Sequence, residues 1–184
     1  MIAEKIIQKA LEKAQGAQVT VVTRETSAVD FENNRLKSAE SSQRTNIDLK
    51  VIVDGKVGVS STTDKGDIEG VVERALEAAQ FGNEAHFEFP GPQELKPVDI
   101  FDPDLLTLEK TEMIHMGQQM MEMVKAYNPE ILAGAQVNRV ITKIQYANSE
   151  GAIYSENHTD FYIGTIGNLI RGTDVLFAGN GFSQ

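Results

Sequence analysis

Three polar residues near the end of the chain, Glu156, His158 and Asp160, alternate along a stretch that reads as a β-strand. Because successive side chains of a strand point to opposite faces, this spacing places all three on one side. Carboxylate and imidazole groups gathered in this way could bind a metal ion or exchange protons. A solvated strand face has the same composition, and no second histidine lies nearby in the sequence, so we favour the solvated face.

A second pair with catalytic residue types is Glu112 and His115, spaced i, i+3 in a helical pattern. This spacing puts a carboxylate and an imidazole on one helix face, as in di-iron helix bundles, but such bundles need the motif twice and two further glutamates. The sequence has one copy. We therefore interpret the pair as part of an exposed polar face.

A stripe of methionines lies in the same helical pattern. Five of the six methionines fall in it, together with Ile114 and Val124: Met113, Met116, Met120, Met121 and Met123. Methionine is flexible and polarizable, so the stripe could fill an irregular core or form an adaptable groove for a partner or peptide. We favour core packing, and the groove stays open as the alternative.

The usual signatures of catalysis are absent from the sequence. No histidine is followed by glutamate, no glycine pattern matches a phosphate-binding loop or a dinucleotide fingerprint, and there is no Gly-x-Ser-x-Gly elbow. The absence of cysteine excludes thiolate ligands and cysteine nucleophiles. We therefore predict no catalytic, cofactor-binding or metal-binding residue and no cofactor in this chain.

Any functional site in the first part of the chain must be positioned by the elements before residue 80. Apolar spacing in residues 2–14 predicts a helix ended by Gly16, the β-branched residues 19–23 predict a strand, and residues 28–32, followed by the turn residues Asn33-Asn34, predict another. Residues 47–53 alternate up to Asp54-Gly55, a dipeptide that favours a tight hairpin turn, and residues 56–62 run back. Residues 68–79 form a second amphipathic helix, with Asp64 or Asp67 available to cap it. These patterns predict a first domain over residues 1–80.

The rest of the chain reads as a linker followed by a second domain. Residues 81–104 contain four of the five prolines, which disfavour regular elements. Residues 106–127 form the longest helical pattern, and residues 131–184 are rich in β-branched residues, aromatic residues and glycine. We predict an acidic linker over 81–104, a second domain over 105–184 and an α+β fold, because strands and helices do not alternate regularly.

The charge of the chain limits its partners. It has 184 residues with a formal net charge of −10, and ten of its 27 acidic residues but three of its 17 basic residues lie in residues 81–130. This is the wrong sign for binding through phosphate contacts, so we expect no direct contact with nucleic acid. Apolar runs never exceed four residues, far short of the roughly 20 that span a bilayer. The first residues lack the continuous apolar stretch of a secretory signal, so a cytoplasmic location is expected.

Several short stretches together resemble the TldD/PmbA family. They are Asp30-Phe31-Glu32-Asn33 within residues 27–37, Asp54-Gly55-Lys56 within residues 53–64, Val98-Asp99-Ile100 within residues 98–103, and Asn148-Ser149-Glu150-Gly151 followed by Thr159. Members of this family are labelled modulators of DNA gyrase and regarded as zinc-dependent peptidases or their partner subunits. The resemblance implies peptide or unfolded-protein substrates and assembly with the same or another family subunit. Its catalytic branch has a His-Glu-x-x-x-His helix and a later cysteine, and neither is present here.

Two functions follow from the sequence. The first is the N-terminal, non-catalytic portion of a TldD/PmbA-type metallopeptidase or partner subunit. This portion would contribute surface for assembly and for the substrate cleft, with any zinc chemistry in further sequence. On this interpretation the second domain is incomplete. The second is a self-contained, non-enzymatic protein-interaction module. A native reading frame that continues past Gln184 would favour the first function, and one that stops there would favour the second.

Overall fold

A computed structural model of the chain describes residues 1–96 and 98–184; Pro97, in the predicted linker, lies outside the described residues. The helices are α1 (Ile2–Ala10), α2 (Ile68–Gln80) and α3 (Lys110–Tyr127), with a 3₁₀ turn at Pro103–Leu106. The strands are β1 (Gly16–Glu32), β2 (Arg35–Val53), β3 (Lys56–Thr62), β4 (Leu132–Asn148), β5 (Ile153–Arg171) and β6 (Asp174–Ser183). The predicted α+β class is confirmed.

The strands form one antiparallel sheet in the order β3-β2-β1-β4-β5-β6. The predicted hairpin between β2 and β3 is confirmed, with Val53 opposite Lys56. Asp54 and Gly55 both have positive φ, 48° and 74°, which a two-residue turn of this kind requires at both central positions. The turn residues therefore set the register of this pair.

The chain divides into two compact units, each made of three separate segments. Unit 1 comprises Met1–Arg24, Arg44–Asp99 and Thr142–Asn157, and unit 2 comprises Glu25–Gln43, Ile100–Ile141 and His158–Gln184. The sequence predicts contiguous domains instead, at 1–80 and 105–184 on either side of a linker at 81–104. Long strands contribute residues to both units, which explains why the composition along the chain does not show this division. The predicted boundaries stay a prediction.

Unit 1 has a core of aliphatic side chains from both helices and the sheet, including Ile6, Val19, Leu49 and Val71. The predicted apolar faces of both helices are buried in it. Helix α2 packs directly on β3, and a Cβ added at Gly58 would overlap the backbone of α2 at Ala75. Glycine is thus required where this helix meets the sheet.

One predicted boundary in unit 1 is wrong. Helix α1 ends at Ala10 rather than near Gly16, because the chain turns and the Gln15 N–H donates to the Ile52 carbonyl at 2.8 Å, which brings it into the sheet. The predicted start of α2 is confirmed, since Asp67 occupies the N-cap position, although its carboxylate accepts from the Arg74 guanidinium at 2.8 Å instead of from a helix N–H.

Unit 2 has a separate core beneath α3, formed by Val29, Phe31, Met113, Met121 and Val137 with small residues of β4. A Cβ at Gly117 would overlap the Phe31 ring, so α3 approaches the sheet closely at that point. None of the helices in the described residues has the length and apolar character that a bilayer crossing requires.

The segment between α2 and the 3₁₀ turn has no helix or strand in its described residues beyond a single bridge between Glu84 and Lys56. Within unit 1, hydrogen bonds that involve side chains hold it at two further points. The Asn148 amide donates to the Pro90 carbonyl at 2.8 Å, and the Gln93 N–H donates to the Tyr154 hydroxyl at 2.6 Å. The Phe89 ring is buried against Gly16. This part of the predicted linker is therefore fixed to the surface of unit 1.

Candidate functional site: an apolar groove in unit 2

Of the three residues considered as a metal or acid-base cluster, two lie close together in the structure. The His158 Nε2 atom lies 3.5 Å from an Asp160 carboxylate oxygen on β5, and Glu156 is exposed. Across residues 1–96 and 98–184, no three histidine, aspartate or glutamate side chains lie close enough to hold a metal ion together. A pair supplies fewer ligands than the three or four protein groups of a typical zinc site.

Glu112 and His115 are both exposed on α3. The Glu112 carboxylate accepts a hydrogen bond from the Glu109 N–H at 3.1 Å, across the first turn of the helix. A carboxylate in this position satisfies a backbone donor and interacts favourably with the positive end of the helix dipole. The residue therefore has a structural explanation in the start of α3.

The methionine stripe divides between a core and a surface. Met113 and Met121 are buried in the core of unit 2, and Met116 and Met120 pack partly against it, so the preferred core interpretation is confirmed for these four. Met123 is 68% exposed near the end of α3. For this methionine the exposed position favours the alternative interpretation, an adaptable groove.

The groove beside Met123, which we call the α3 groove, has a volume of about 730 Å³ and lies between the end of α3 and the β5–β6 hairpin. Its lining is formed by Met123, Val124, Tyr127, Asn128, Ile131, Thr165, Gly167, Leu169, Arg171, Leu176, Ala178, Gly179 and Asn180. Small residues at 167, 178 and 179 leave room above the strands. Arg171 alone among the lining residues is charged, and it lies 3.8 Å from Glu130.

The chemistry of the α3 groove suits binding rather than catalysis. Its lining holds no histidine, carboxylate or cysteine, the groups that most often transfer protons or bind metals. Exposed methionine, tyrosine and leucine side chains are typical of surfaces that accept apolar side chains of varied shape. The arrangement can therefore hold an apolar segment of polypeptide.

The sequence analysis did not identify a role for Arg139, which is 9% exposed in unit 2. Its guanidinium donates to the carbonyls of Leu105 and Leu108 at 3.2 and 2.8 Å, to the Glu25 carboxylate at 2.8 Å, and to the Ser27 hydroxyl at 3.2 Å. The two carbonyls belong to the chain that leads into α3. The signal that could have identified it is a charge within an apolar strand pattern, because such a charge needs buried partners.

These bonds correct the predicted start of the long helix. The pattern predicts a helix over residues 106–127, but α3 begins at Lys110. The Leu105 and Leu108 carbonyls accept from Arg139 rather than from helix donors four residues on. Asp102 accepts from the Asp104 N–H at 2.9 Å and starts a 3₁₀ turn instead. The guanidinium thus fixes where α3 begins.

Two asparagines from the stretches that carry the family resemblance organise turns. The Asn148 side chain is buried, accepts from the Glu150 and Ala152 N–H groups at 3.0 Å each, and donates to the Tyr146 hydroxyl at 3.1 Å as well as to Pro90. Asn34 has a φ of 63°, and its side chain accepts from the Ala133 N–H at 3.0 Å. These residues have structural roles in the described fold.

The sequence was compared with protein-family models and with curated proteins. Residues 17–79 match the family model described as PmbA/TldA metallopeptidase domain 1. A search of curated protein sequences finds no match to this chain.

Solved structures share the fold of the whole chain at low sequence identity. TldE from Thermococcus kodakarensis is 12% identical with a TM-score of 0.89, covering 100% of this chain and 43% of that protein. A protein from Thermotoga maritima described as a "putative modulator of a DNA gyrase" is 16% identical with a TM-score of 0.84, covering 99% and 42%. A similarly described protein from Bacteroides thetaiotaomicron is 15% identical with a TM-score of 0.82, covering 99% and 43%.

The chain therefore spans about two fifths of the length of these solved relatives. At such identities the likeness shows the fold alone. The predicted resemblance is confirmed over residues 17–79, which match the first domain of the PmbA/TldD family.

Proposed function

We propose that this chain is the N-terminal, non-catalytic portion of a TldD/PmbA-type metallopeptidase or of its partner subunit, acting in the cytoplasm. Its role is to contribute surface for assembly and for the substrate cleft. The observation that carries the proposal is the match of residues 17–79 to the first domain of a metallopeptidase family. In this proposal any zinc would be bound by residues outside this chain.

The α3 groove supports the cleft part of the proposal. Its apolar lining and its single charged residue favour apolar stretches of a peptide or unfolded protein over a folded, charged surface. The net charge of −10 disfavours nucleic acid as the occupant. The substrate class that fits the groove is therefore polypeptide with exposed apolar side chains.

A binding experiment tests this role. We expect a fluorescently labelled, permanently unfolded polypeptide of neutral charge to bind the chain, and Met123→Glu to weaken binding about tenfold, because it replaces an apolar contact surface by a charge that must lose water when the segment binds. Val59→Glu is the matched control, since Val59 is 60% exposed on β3 and Met123 is 68% exposed. Equal binding by the parent chain and Met123→Glu would exclude the α3 groove as cleft surface.

The self-contained interaction module is the second candidate, favoured by the same exposed groove. Both functions predict polypeptide binding, so binding alone does not separate them. A peptidase assembly that includes this chain should lose turnover of apolar peptides with Met123→Glu. An interaction module should lose partner binding while no peptide is cleaved.

A further inference from the structure

Unit 1 has a cleft on the sheet face that lies opposite α1 and α2. Its volume is about 570 Å³, within the range of small-molecule sites, and its polar lining includes Gln18, Thr20, Asp48 and Lys50. Side chains alternate along a strand, and Leu49 is buried in the core with the two helices, so Asp48 and Lys50 lie on the other face. The lining residues all belong to unit 1 and precede residue 62.

Lys50 is a positive charge in this cleft that the fold leaves without a carboxylate partner. It is half-buried, and its Nζ atom lies 5.5 Å from the centre of the Phe87 ring. Across residues 1–96 and 98–184, none of the ion pairs involves Lys50. Asp48 lies two residues away on the same face, but its carboxylate accepts from the Asn46 amide at 2.6 Å instead. The ammonium group can therefore donate to an acceptor from outside the chain.

A relay of hydrogen bonds from Asn148 fixes the polarity of Gln18. The Asn148 side-chain oxygen accepts from the backbone N–H groups of Glu150 and Ala152, so its nitrogen must be the donor to the Tyr146 hydroxyl at 3.1 Å. Having accepted this bond, the hydroxyl donates its own proton to the Gln18 side-chain oxygen at 3.2 Å. The Gln18 NH2 group is thereby left as a donor, and it is not enclosed by the protein.

The two donors lie side by side on neighbouring strands. The hydroxyls of Thr23 on β1 and Thr45 on β2 are hydrogen-bonded at 3.0 Å, which indicates the register of these strands. Continued along both strands, this register places Gln18 opposite Lys50, where Cβ atoms are about 4.5–5.5 Å apart. An ammonium group and an NH2 group at this separation can bond to the two oxygens of one carboxylate. The Thr20 hydroxyl lines the same cleft and can donate a third bond.

We propose that this cleft binds a small monocarboxylate, with the Lys50 ammonium and the Gln18 NH2 group donating to its two oxygens. The Phe87 ring beside Lys50 is 44% exposed, so the acid that fits best carries an apolar body next to its carboxylate. The Asp48 carboxylate in the lining favours one negative charge over a dianion such as phosphate. This site is separate from the α3 groove, and it does not depend on the proposed function.

Nuclear magnetic resonance of the 15N-labelled 184-residue chain tests the site, with phenylacetate as the probe. We expect phenylacetate to shift the signals of the Gln18 side-chain NH2 group and of the Lys50 backbone amide. Phenylacetamide, the uncharged counterpart, should shift neither at the same concentration. Acetate should need a concentration about ten times higher, because it lacks the apolar body. Equal shifts with phenylacetate and phenylacetamide, or no shifts with either, would overturn the proposal.

Substitutions in the cleft test the two donors. Lys50→Met should weaken phenylacetate binding at least about tenfold, because a charge-assisted hydrogen bond is lost. Lys13→Met is the matched control, since it removes the same charge from an exposed position outside the cleft and should retain binding. Gln18→Glu keeps the shape of the side chain but replaces the donor by a carboxylate, so binding should be abolished. Equal affinity in Lys50→Met and the parent chain would refute the site.

Tyr146→Phe tests the relay without changing a group that lines the cleft. It keeps the ring and removes the hydroxyl, so the Gln18 amide can turn its oxygen toward the ligand, and phenylacetate binding should weaken about fivefold. Tyr154→Phe is the control, because the Tyr154 hydroxyl bonds to Gln93 instead, and it should bind like the parent chain. The same affinity in both tyrosine variants would contradict the relay.

Discussion

Replacing Arg139 by methionine should destabilise the chain by about 3 kcal/mol, the loss expected when one partner of a buried, hydrogen-bonded charge is removed. Methionine keeps much of the side-chain length while removing every donor. The carbonyls of Leu105 and Leu108 and the Ser27 hydroxyl would each lose a bond. Hydrogen bonds from a charged group contribute about 1.5–3 kcal/mol each, so these three set the upper limit of the effect.

One feature reduces the loss below that limit: the Arg139 Nε atom is buried without a hydrogen-bond partner, and removing it relieves a desolvation cost. The ion pair with Glu25 adds little, because the Glu25 side chain is 42% exposed and can turn to water, so the pair should contribute less than about 1 kcal/mol. Relief of the desolvation cost brings the lower end of the sum close to the value stated above.

The assay is urea denaturation, with hydrogen exchange to report where the change occurs. Amides of residues 104–108 should exchange faster in Arg139→Met, because this segment loses its attachment to β4. Arg171→Met is the control: its carboxylate neighbour is 3.8 Å away and both side chains are exposed, so stability should change by less than about 0.5 kcal/mol. A loss below about 1 kcal/mol for Arg139→Met would refute the role assigned to the guanidinium.

Two further substitutions test the packing and turns of unit 1. Gly58→Ala should cost about 3 kcal/mol by forcing α2 away from β3, whereas Gly91→Ala, with no atom within 4 Å of the added Cβ, should change stability by less than about 0.5 kcal/mol in the same denaturation assay. Asn148→Ala should cost about 3 kcal/mol, because two backbone donors and the Pro90 carbonyl lose their partners, and thermal unfolding against Asn157→Ala, a substitution at an exposed residue, would measure it. Comparable stabilities within either pair would contradict the packing or hydrogen-bond argument for that site.

Elements with a local physical cause could be predicted from the sequence. The Asp54-Gly55 turn and the apolar face of α2 follow from backbone preference and from periodicity over a few residues. The middle of β1, residues 24–27, could not, because its polar side chains find partners far along the chain. Ser27 bonds to Ser41 at 3.0 Å and to Arg139. Predicted as two strands, residues 19–23 and 28–32 belong to one.

In the candidate site, too, some features follow from local sequence patterns and others depend on contacts between distant residues. The methionine stripe of α3 favoured a core, with a groove as the alternative, and the structure assigns Met113 and Met121 to the core and Met123 to the groove. The opposite wall of that groove is formed by β5 and β6, whose paired residues, 162–171 and 174–183, lie far along the chain from Met123. Local sequence patterns contain no information on which strand face an exposed helical residue will meet.

The zinc content of the purified 184-residue chain tests the central claim most directly. After expression with added zinc and dialysis, elemental analysis should find far less than one zinc per chain, and the same preparation should cleave no peptide. One zinc retained per chain together with peptide cleavage would contradict the proposal that this chain is a non-catalytic portion of a metallopeptidase assembly.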